Sequence, residues 1–502
     1  MTSIHSVDPR TGSAVEEVTH ETTREELDQI VRAAVRAQYA LEDAGRAGRA
    51  AMLREMAGAL EADRAGIVTI ADRETALGPD RLNAELTRTC YQLRLFAETV
   101  EEGGYLEAVL DSAGDTSMGP RPDLRRMLVP LGVVGVFGAS NFPLAFSVPG
   151  GDTASALAAG CSVVVKAHGS HPATSARCAA ALRAGASAAG LPDEVVAVVY
   201  GQPAGALLVR HESVRAVGFT GSVGGGRALL DLIHARPDPI PFYGELASLN
   251  PVIVTPSALR ERAEEIGTGF ADSVTGSAGQ LCTKPGLALV PEGSDGDRFV
   301  AAATSRIAAG SNDRILLNGR IWQSYTDTTA AWRALPDTRV LHDGAAAAPA
   351  VSPFVLETTA RDLNPMLTEE CFGPCAVIAR FVDEAELDAV LETLPASLTA
   401  TVHGDDTGQL RRLGERLGRK AGRLLFGGFP TGVAVSDAQN HGGPWPATNS
   451  LHTSVGTTAI RRFLRPVTWQ NAPQDVLPAE LRDGPSVVPR RIDGFVALPD
   501  KE

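Results

Sequence analysis

The sequence predicts an α/β protein built on parallel sheets, and three observations carry that prediction. From Leu131 onward, short β-rich runs alternate with alanine-rich stretches of helical composition. Three of these runs are followed at once by small, polar or basic residues, the pattern expected where strand ends open onto a ligand. The chain of 502 residues is 44% hydrophobic and 21% charged, enough apolar content for large cores in more than one domain.

Taken in order, Thr23–Glu26 reads as a capping box that opens a helix, and Leu27, Ile30, Val31, Ala34 and Val35 recur at helical spacing. The helical pattern continues to Glu107, so this first part is expected to be mostly helical cover. Pro120 and Pro122 break it, and Leu124–Pro130 is an extended segment suited to a sheet edge. The strands follow as Leu131–Phe137, Ser162–Lys166, Val195–Val199 and Val214–Phe219, each separated by a helical stretch, which implies βαβ units. A second α/β region begins at Asn250–Val254, with strands expected at Leu287–Val290, Cys375–Ile378, Leu398–Val402 and Arg423–Phe426. Between them Ala345–Ala348 reads as a surface loop. Periodicity fades past Phe429, and the proline-rich, charged tail after Asn471 is expected to be an extended arm outside the core.

Composition excludes several functions. A formal charge of −14 with no segregated basic patch argues against a nucleic-acid partner or an anionic membrane surface. The six cysteines form no CxxC pair and no Cys/His ligand spacing, so no metal is called for and a reducing compartment is expected. Met1–Arg10 lacks a basic region followed by an apolar run, and no window approaches the ~18 apolar residues of a membrane span. The expected location is the cytoplasm.

Three strand-end segments are the candidate ligand contacts: Gly138–Pro143, Lys166–Ser170 and Thr220–Gly226. The last is a glycine-rich turn opening a helix, whose N–H groups suit a pyrophosphate, although it does not match GxGxxG. A fourth segment, Ser273–Gly286, surrounds Cys282 with small residues and ends at Pro285-Gly286. Alone, Cys282 fits a small buried hydrophobe as well as a presented nucleophile.

Together these segments resemble the aldehyde dehydrogenase superfamily over residues 5 to 470. The markers are Ser140–Pro143, Val165–His168, Phe219–Ser222, Gly244–Leu246, Gly279–Thr283 and Glu369–Pro374, in that order. Phe137–Phe146, Pro241–Leu246 and His441–Thr448 are most similar to the α-ketoglutaric semialdehyde (2,5-dioxopentanoate) dehydrogenases and their fatty-aldehyde relatives. The resemblance implies a Rossmann-type dinucleotide-binding domain over 1–122 and 131–247 and an α/β catalytic domain over 248–450. It also implies an oligomerisation element from 123–130 and 451–502, hence a homodimer or homotetramer.

It further implies roles. Cys282 is the nucleophile, Glu245 the general base, and Asn141 with the Cys282 N–H the donors to the oxyanion. Lys166 holds the adenosine ribose, Gly221 and Ser222 the pyrophosphate, and Glu370 with Phe372 the nicotinamide ribose. Many NAD-preferring relatives carry a glutamate where this chain has Gly169; with that charge gone and Ser170 and His168 close by, NADP is the expected dinucleotide, NAD remaining an alternative. The implied reaction is oxidation of an aldehyde, foremost 2,5-dioxopentanoate to 2-oxoglutarate, through a Cys282 thioester. Leu281 and Ala247 depart from the semialdehyde pattern, so a medium- or long-chain aliphatic aldehyde is the alternative substrate. A binding protein on the same fold is a third reading, which the presence of every catalytic residue type opposes.

Overall fold

The computed structural model describes residues 2–310 and 313–499. It opens with an antiparallel hairpin, Ser3–Asp8 with Ser13–His20, that the sequence reading did not anticipate. Both strands are mostly polar, the second largely exposed and the first half-buried, so no apolar alternation announces them. Helices Arg24–Asp43, Gly45–Ala62, Arg64–Thr75 and Pro79–Glu102 follow. The capping box forms as expected: Glu26 N donates to Thr23 Oγ1 at 3.2 Å and Thr23 N to Glu26 Oε2 at 2.9 Å. Leu27, Val31 and Ala34 then pack with Phe137, Val164 and Val199 beneath the first sheet.

That sheet has five parallel strands in the spatial order Phe242–Glu245, Ala216–Thr220, Val134–Phe137, Val163–Lys166, Val196–Val199. In chain order this is 5-4-1-2-3, a doubly wound arrangement whose order reverses between Val134–Phe137 and Ala216–Thr220. Ligands of such sheets sit outside that reversal, at the carboxyl ends of the strands. The second sheet has seven strands, Thr338–Asp343, Phe354–Thr359, Cys375–Phe381, Leu287–Pro291, Val252–Val254, Ser397–His403 and Ala421–Phe426. All neighbours are parallel except the first pair. Thr338–Asp343 and Phe354–Thr359, which flank the Ala345–Ala348 loop, are additions to the expected strand list.

A third sheet takes the order Leu464–Gln470, Leu124–Pro130, Ala108–Asp111, Arg490–Ile492, Phe495–Ala497. Its second strand is the anticipated extended segment. The tail after Asn471, however, is not an arm outside the core. Leu477, Leu481 and Val488 are buried in the same cluster as the first four helices, and Arg490–Ile492 pairs parallel to Ala108–Asp111. Single buried side chains spaced between prolines and charges leave no periodic signal. Among the described residues no helix is long and apolar enough to cross a membrane.

One connection positions the site. After strand Ala421–Phe426 the chain returns along the edge of the first sheet: Leu246 N donates to Ala447 O at 2.8 Å, Gly244 N to Asn449 Oδ1 at 2.7 Å, and Glu245 forms an isolated bridge with Thr448. Further on, Arg462 is buried against Asp152 at 2.7 Å, which fastens this return to the helix Gly151–Ala159.

Candidate active site

The strand ends of the first sheet are level. Lys166 pairs in register with Phe137 and with Val199, Phe137 with Phe219, and Thr220 with Glu245. The candidate residues Asn141, Lys166, Ser222 and Glu245 therefore leave one edge of one sheet. Ser222 caps the helix Val223–His234, its Oγ accepting from Gly225 N at 3.2 Å. A Cβ at Gly226 would meet a Leu246 side-chain methyl at 2.5 Å, so the helix packs closely against that residue, whereas Gly224 faces open space.

Cys282 is brought to this edge by strained backbone. Ser277, Ala278 and Gly279 are all left-handed, with φ of 51°, 54° and 65°, a conformation that costs non-glycine residues of order 1 kcal/mol or more each. Gly279 needs its missing side chain as well: a Cβ there would lie 2.1 Å from Gly373 O, so the cysteine loop and the Glu369–Pro374 loop meet backbone to backbone. Surrounding polar contacts hold the loop down. Asn250 Nδ2 donates to Cys282 O at 2.9 Å and Lys284 O at 3.0 Å, Gln280 Oε1 accepts from Leu317 N at 2.9 Å, and Lys284 Nζ donates to Cys371 O at 3.0 Å and Cys375 O at 2.7 Å.

The chemistry-bearing atoms converge on one histidine. His441 Nε2 lies 2.9 Å from Glu245 Oε1 and 3.5 Å from Cys282 Sγ, and ligating atoms of all three residues fall within 4.8 Å of one another. Ser454 Oγ donates to the other carboxylate oxygen, Glu245 Oε2, at 2.6 Å. Asn141 Nδ2 donates to Gln280 O at 3.0 Å, which uses one of its two hydrogens and sets the amide beside the cysteine loop. The Cys282 N–H has no backbone partner among the described residues.

Electrostatics separates the groups. Burial pushes Glu245 up, but the His441 imidazole and the hydrogen bonds from His441, Ser454 and Cys282 outweigh it and hold the carboxyl below its usual range. Burial, then the charges of Glu245 and Glu370, push the Cys282 thiol well above the ordinary thiol range. Glu370 is raised to about 7, first by burial and further by Glu245, against Lys284 and an N–H from Ser248.

The adenosine-side candidates stand apart from this cluster, beyond strand Val163–Lys166. Lys166 makes no hydrogen bond or ion pair among the described residues, and burial and then Arg320 lower its pKa. His168 Nδ1 accepts from Ser170 N at 3.1 Å, so its proton sits on Nε2, and burial with His171, Lys166 and Arg320 keeps the ring neutral. Ser170 Oγ accepts from Asn318 Nδ2 at 2.8 Å, which leaves its own proton free to donate. Gly169 is exposed with nothing within 4 Å of a Cβ built on it. Phe372 is half-buried next to Glu370.

In the sequence His441, Asn250 and Lys284 stand only as members of longer segments with no role of their own, and Ser454 carries no signal at all. His441 is 196 positions from Glu245 and 159 from Cys282, so no spacing joined them.

With this geometry in hand, comparison with known proteins decides the family. Residues 1–445 match the Aldehyde dehydrogenase family. The chain belongs to that family. It is 46% identical over 459 residues to the alpha-ketoglutaric semialdehyde dehydrogenase 2 of Azospirillum brasilense, covering 89% of this chain and 87% of that protein. To the alpha-ketoglutaric semialdehyde dehydrogenase of Acinetobacter baylyi it is 43% identical over 488 residues, covering 95% and 92%. Among solved structures, the glyceraldehyde-3-phosphate dehydrogenase GapN of Methanocaldococcus jannaschii in complex with NADP superposes with a TM-score of 0.80 at 18% identity, over 94% of this chain and 99% of that one. The likeness extends over nearly the whole of both chains.

Proposed function

We propose that this aldehyde dehydrogenase oxidises 2,5-dioxopentanoate to 2-oxoglutarate with a nicotinamide dinucleotide, NADP preferred, through a thioester on Cys282. The observation that carries the reaction is the contact of Cys282, His441 and Glu245; the substrate class rests on the two relatives at 43% and 46% identity, both named for that semialdehyde.

At rest the raised thiol holds its proton and the depressed carboxyl of Glu245 is ionised, so the proton passes from Sγ to Glu245 as the sulfur attacks the aldehyde carbon. His441 Nε2 faces an acceptor-only carboxylate and therefore carries hydrogen; that N–H also points within reach of the sulfur and supports its negative charge. The carbonyl oxygen takes up charge, and the free Asn141 amide hydrogen and the Cys282 N–H are its donors, an arrangement worth several kcal/mol when preset. A bound nicotinamide dinucleotide supplies the hydride acceptor that turns this adduct into a thioester. Once its first proton is lost, Glu245 takes one from the attacking water and returns it to the departing sulfur.

The dinucleotide fits the residues present. The unpartnered Lys166 cation and the open glycine at 169 suit ribose and phosphate, and the helix start after Ser222 suits the pyrophosphate. The neutral His168 and the free Ser170 hydroxyl supply donors without a repelling carboxylate, which favours a 2′-phosphate. Glu370 and Phe372 would face the nicotinamide ribose. Residues 1–122 with 131–247 would form the dinucleotide-binding part and 248–450 the catalytic part. The third sheet, with an outer strand whose Phe495 and Val496 are 79% and 66% exposed, supports self-association as a dimer or tetramer.

Initial rates with NADP and with NAD, using 2,5-dioxopentanoate beside aliphatic aldehydes, test this reading. The highest kcat/KM is expected for the oxo acid with NADP. Rates that instead climb with aliphatic chain length would move the enzyme to the fatty-aldehyde branch.

A further inference from the structure

An anionic substrate meets a problem in this site. One negative charge is shared between Glu245 and the Cys282 sulfur at every stage, with the Glu370 carboxyl acting on the same sulfur, so a carboxylate approaching them needs a cation nearby. The helix Pro79–Glu102 provides one. Along one of its faces Arg81, Glu85 and Arg88 follow at helical spacing, and all three bear on the segment that carries Asn141. Arg81 Nη2 donates to Asn141 O at 2.6 Å, and Glu85 Oε1 accepts from Leu144 N at 2.8 Å and Ala145 N at 2.9 Å. These two residues hold the segment in place.

Arg88 is different. Its guanidinium lies over the Phe146 ring at 5.2 Å, and that ring packs against His441 at 6.0 Å between centroids. Its Nε reaches Val433 O at 3.4 Å, but Nη1 and Nη2 are both buried without any hydrogen-bond partner. No carboxylate of the described residues forms an ion pair with it, and Glu85 has already directed one oxygen at backbone amides. A buried guanidinium with both ends of its fork empty is costly unless something completes it. Burial draws its pKa down, while Glu85, Cys282 and Glu245 push it up, so its field reaches both the nucleophile and the base.

We propose that Arg88 binds the carboxylate of the substrate, its two free nitrogens taking the two oxygens in a bidentate pair while the aldehyde end lies at Cys282. The inference rests on the oxo-acid reading above and names the group that reading lacks. Planar, two-point recognition is what a guanidinium does better than an ammonium. Four carbon–carbon bonds separate the carboxylate of 2,5-dioxopentanoate from its aldehyde, a span of about 5 Å at ordinary bond lengths, so the two ends contact neighbouring parts of one pocket.

The test compares 2,5-dioxopentanoate with pentanal, which matches its length but lacks the carboxylate, on wild type, Arg88→Met and Arg88→Lys. Wild type should prefer the oxo acid. Arg88→Met should lose about a hundredfold in kcat/KM for the oxo acid, mainly through KM, and little for pentanal. Arg88→Lys, which keeps the charge and loses the fork, should lose roughly tenfold and provides the same comparison if the methionine variant does not fold. Wild type that favours pentanal would sink the oxo-acid reading itself. Wild type that favours the oxo acid, with that preference intact in the variants, would overturn Arg88 alone. Equal losses for both substrates would assign Arg88 to the nucleophile instead and overturn the proposal too.

Discussion

Glu245 and His441 form a buried pair, Oε1 to Nε2 at 2.9 Å, with side chains only 3% and 1% exposed, and the same nitrogen lies 3.5 Å from the Cys282 sulfur. The proposed base and the proposed nucleophile thus meet the same imidazole nitrogen. The remaining Glu245 oxygen accepts from Ser454 Oγ, so both carboxylate oxygens are engaged.

Removing that imidazole should change both partners. In His441→Ala, Glu245 loses its largest favourable charge partner and burial is left to act, so its pKa rises. The acidic limb of the kcat/KM profile should move to higher pH, with a fall of about a hundredfold at neutral pH. Ser454→Ala removes only a neutral donor and should move the limb less, in the same direction. An unshifted acidic limb in His441→Ala would detach the histidine from the base.

Gly169→Glu addresses the dinucleotide. The position is exposed, its φ is not left-handed, and nothing lies within 4 Å of the added Cβ, so the variant should fold as the parent does. Under the NADP reading the new carboxylate would repel the 2′-phosphate. KM for NADP should rise about tenfold with KM for NAD nearly unchanged. An unaltered ratio of the two would remove this position from cofactor choice.

Glu370 makes a prediction about stability. Its folded pKa of about 7 lies above the ordinary 4.5, so the folded protein binds more protons between those values than the unfolded chain. The penalty is absent below pH 4.5 and grows as pH rises through 7, reaching on the order of 3 kcal/mol. Cofactor-free Glu370→Gln should therefore melt above wild type at pH 8, with the gap closing toward pH 5. Thermal melts across that range read it directly, and a gap that does not depend on pH would remove the carboxylate as its cause.

Much of this architecture is legible before folding, for a physical reason. Strands buried on both faces are continuous valine-rich runs, so Val163–Lys166 and Val196–Val199 declare themselves. The hairpin Ser3–Asp8 with Ser13–His20 does not, because neither face of either strand is apolar. Cys282, Glu245 and Asn141 stand out in the sequence through the motifs around them, and the fold brings them to one edge of the first sheet. His441, Ser454 and Arg88 do not: each reaches the site through a contact between segments far apart in the chain, and only the return of residues 427–456 along the first sheet brings His441 to Glu245.

A thioester on Cys282 cleaved with the help of Glu245 is tested most directly by the intact mass of Glu245→Gln after incubation with aldehyde and NADP. The expected result is a burst of reduced dinucleotide close to one equivalent per subunit, an acyl adduct that maps to Cys282, and neither burst nor adduct in Cys282→Ala, which should still bind the dinucleotide. Steady wild-type turnover by Glu245→Gln with no adduct, or oxidation that survives in Cys282→Ala, would contradict it.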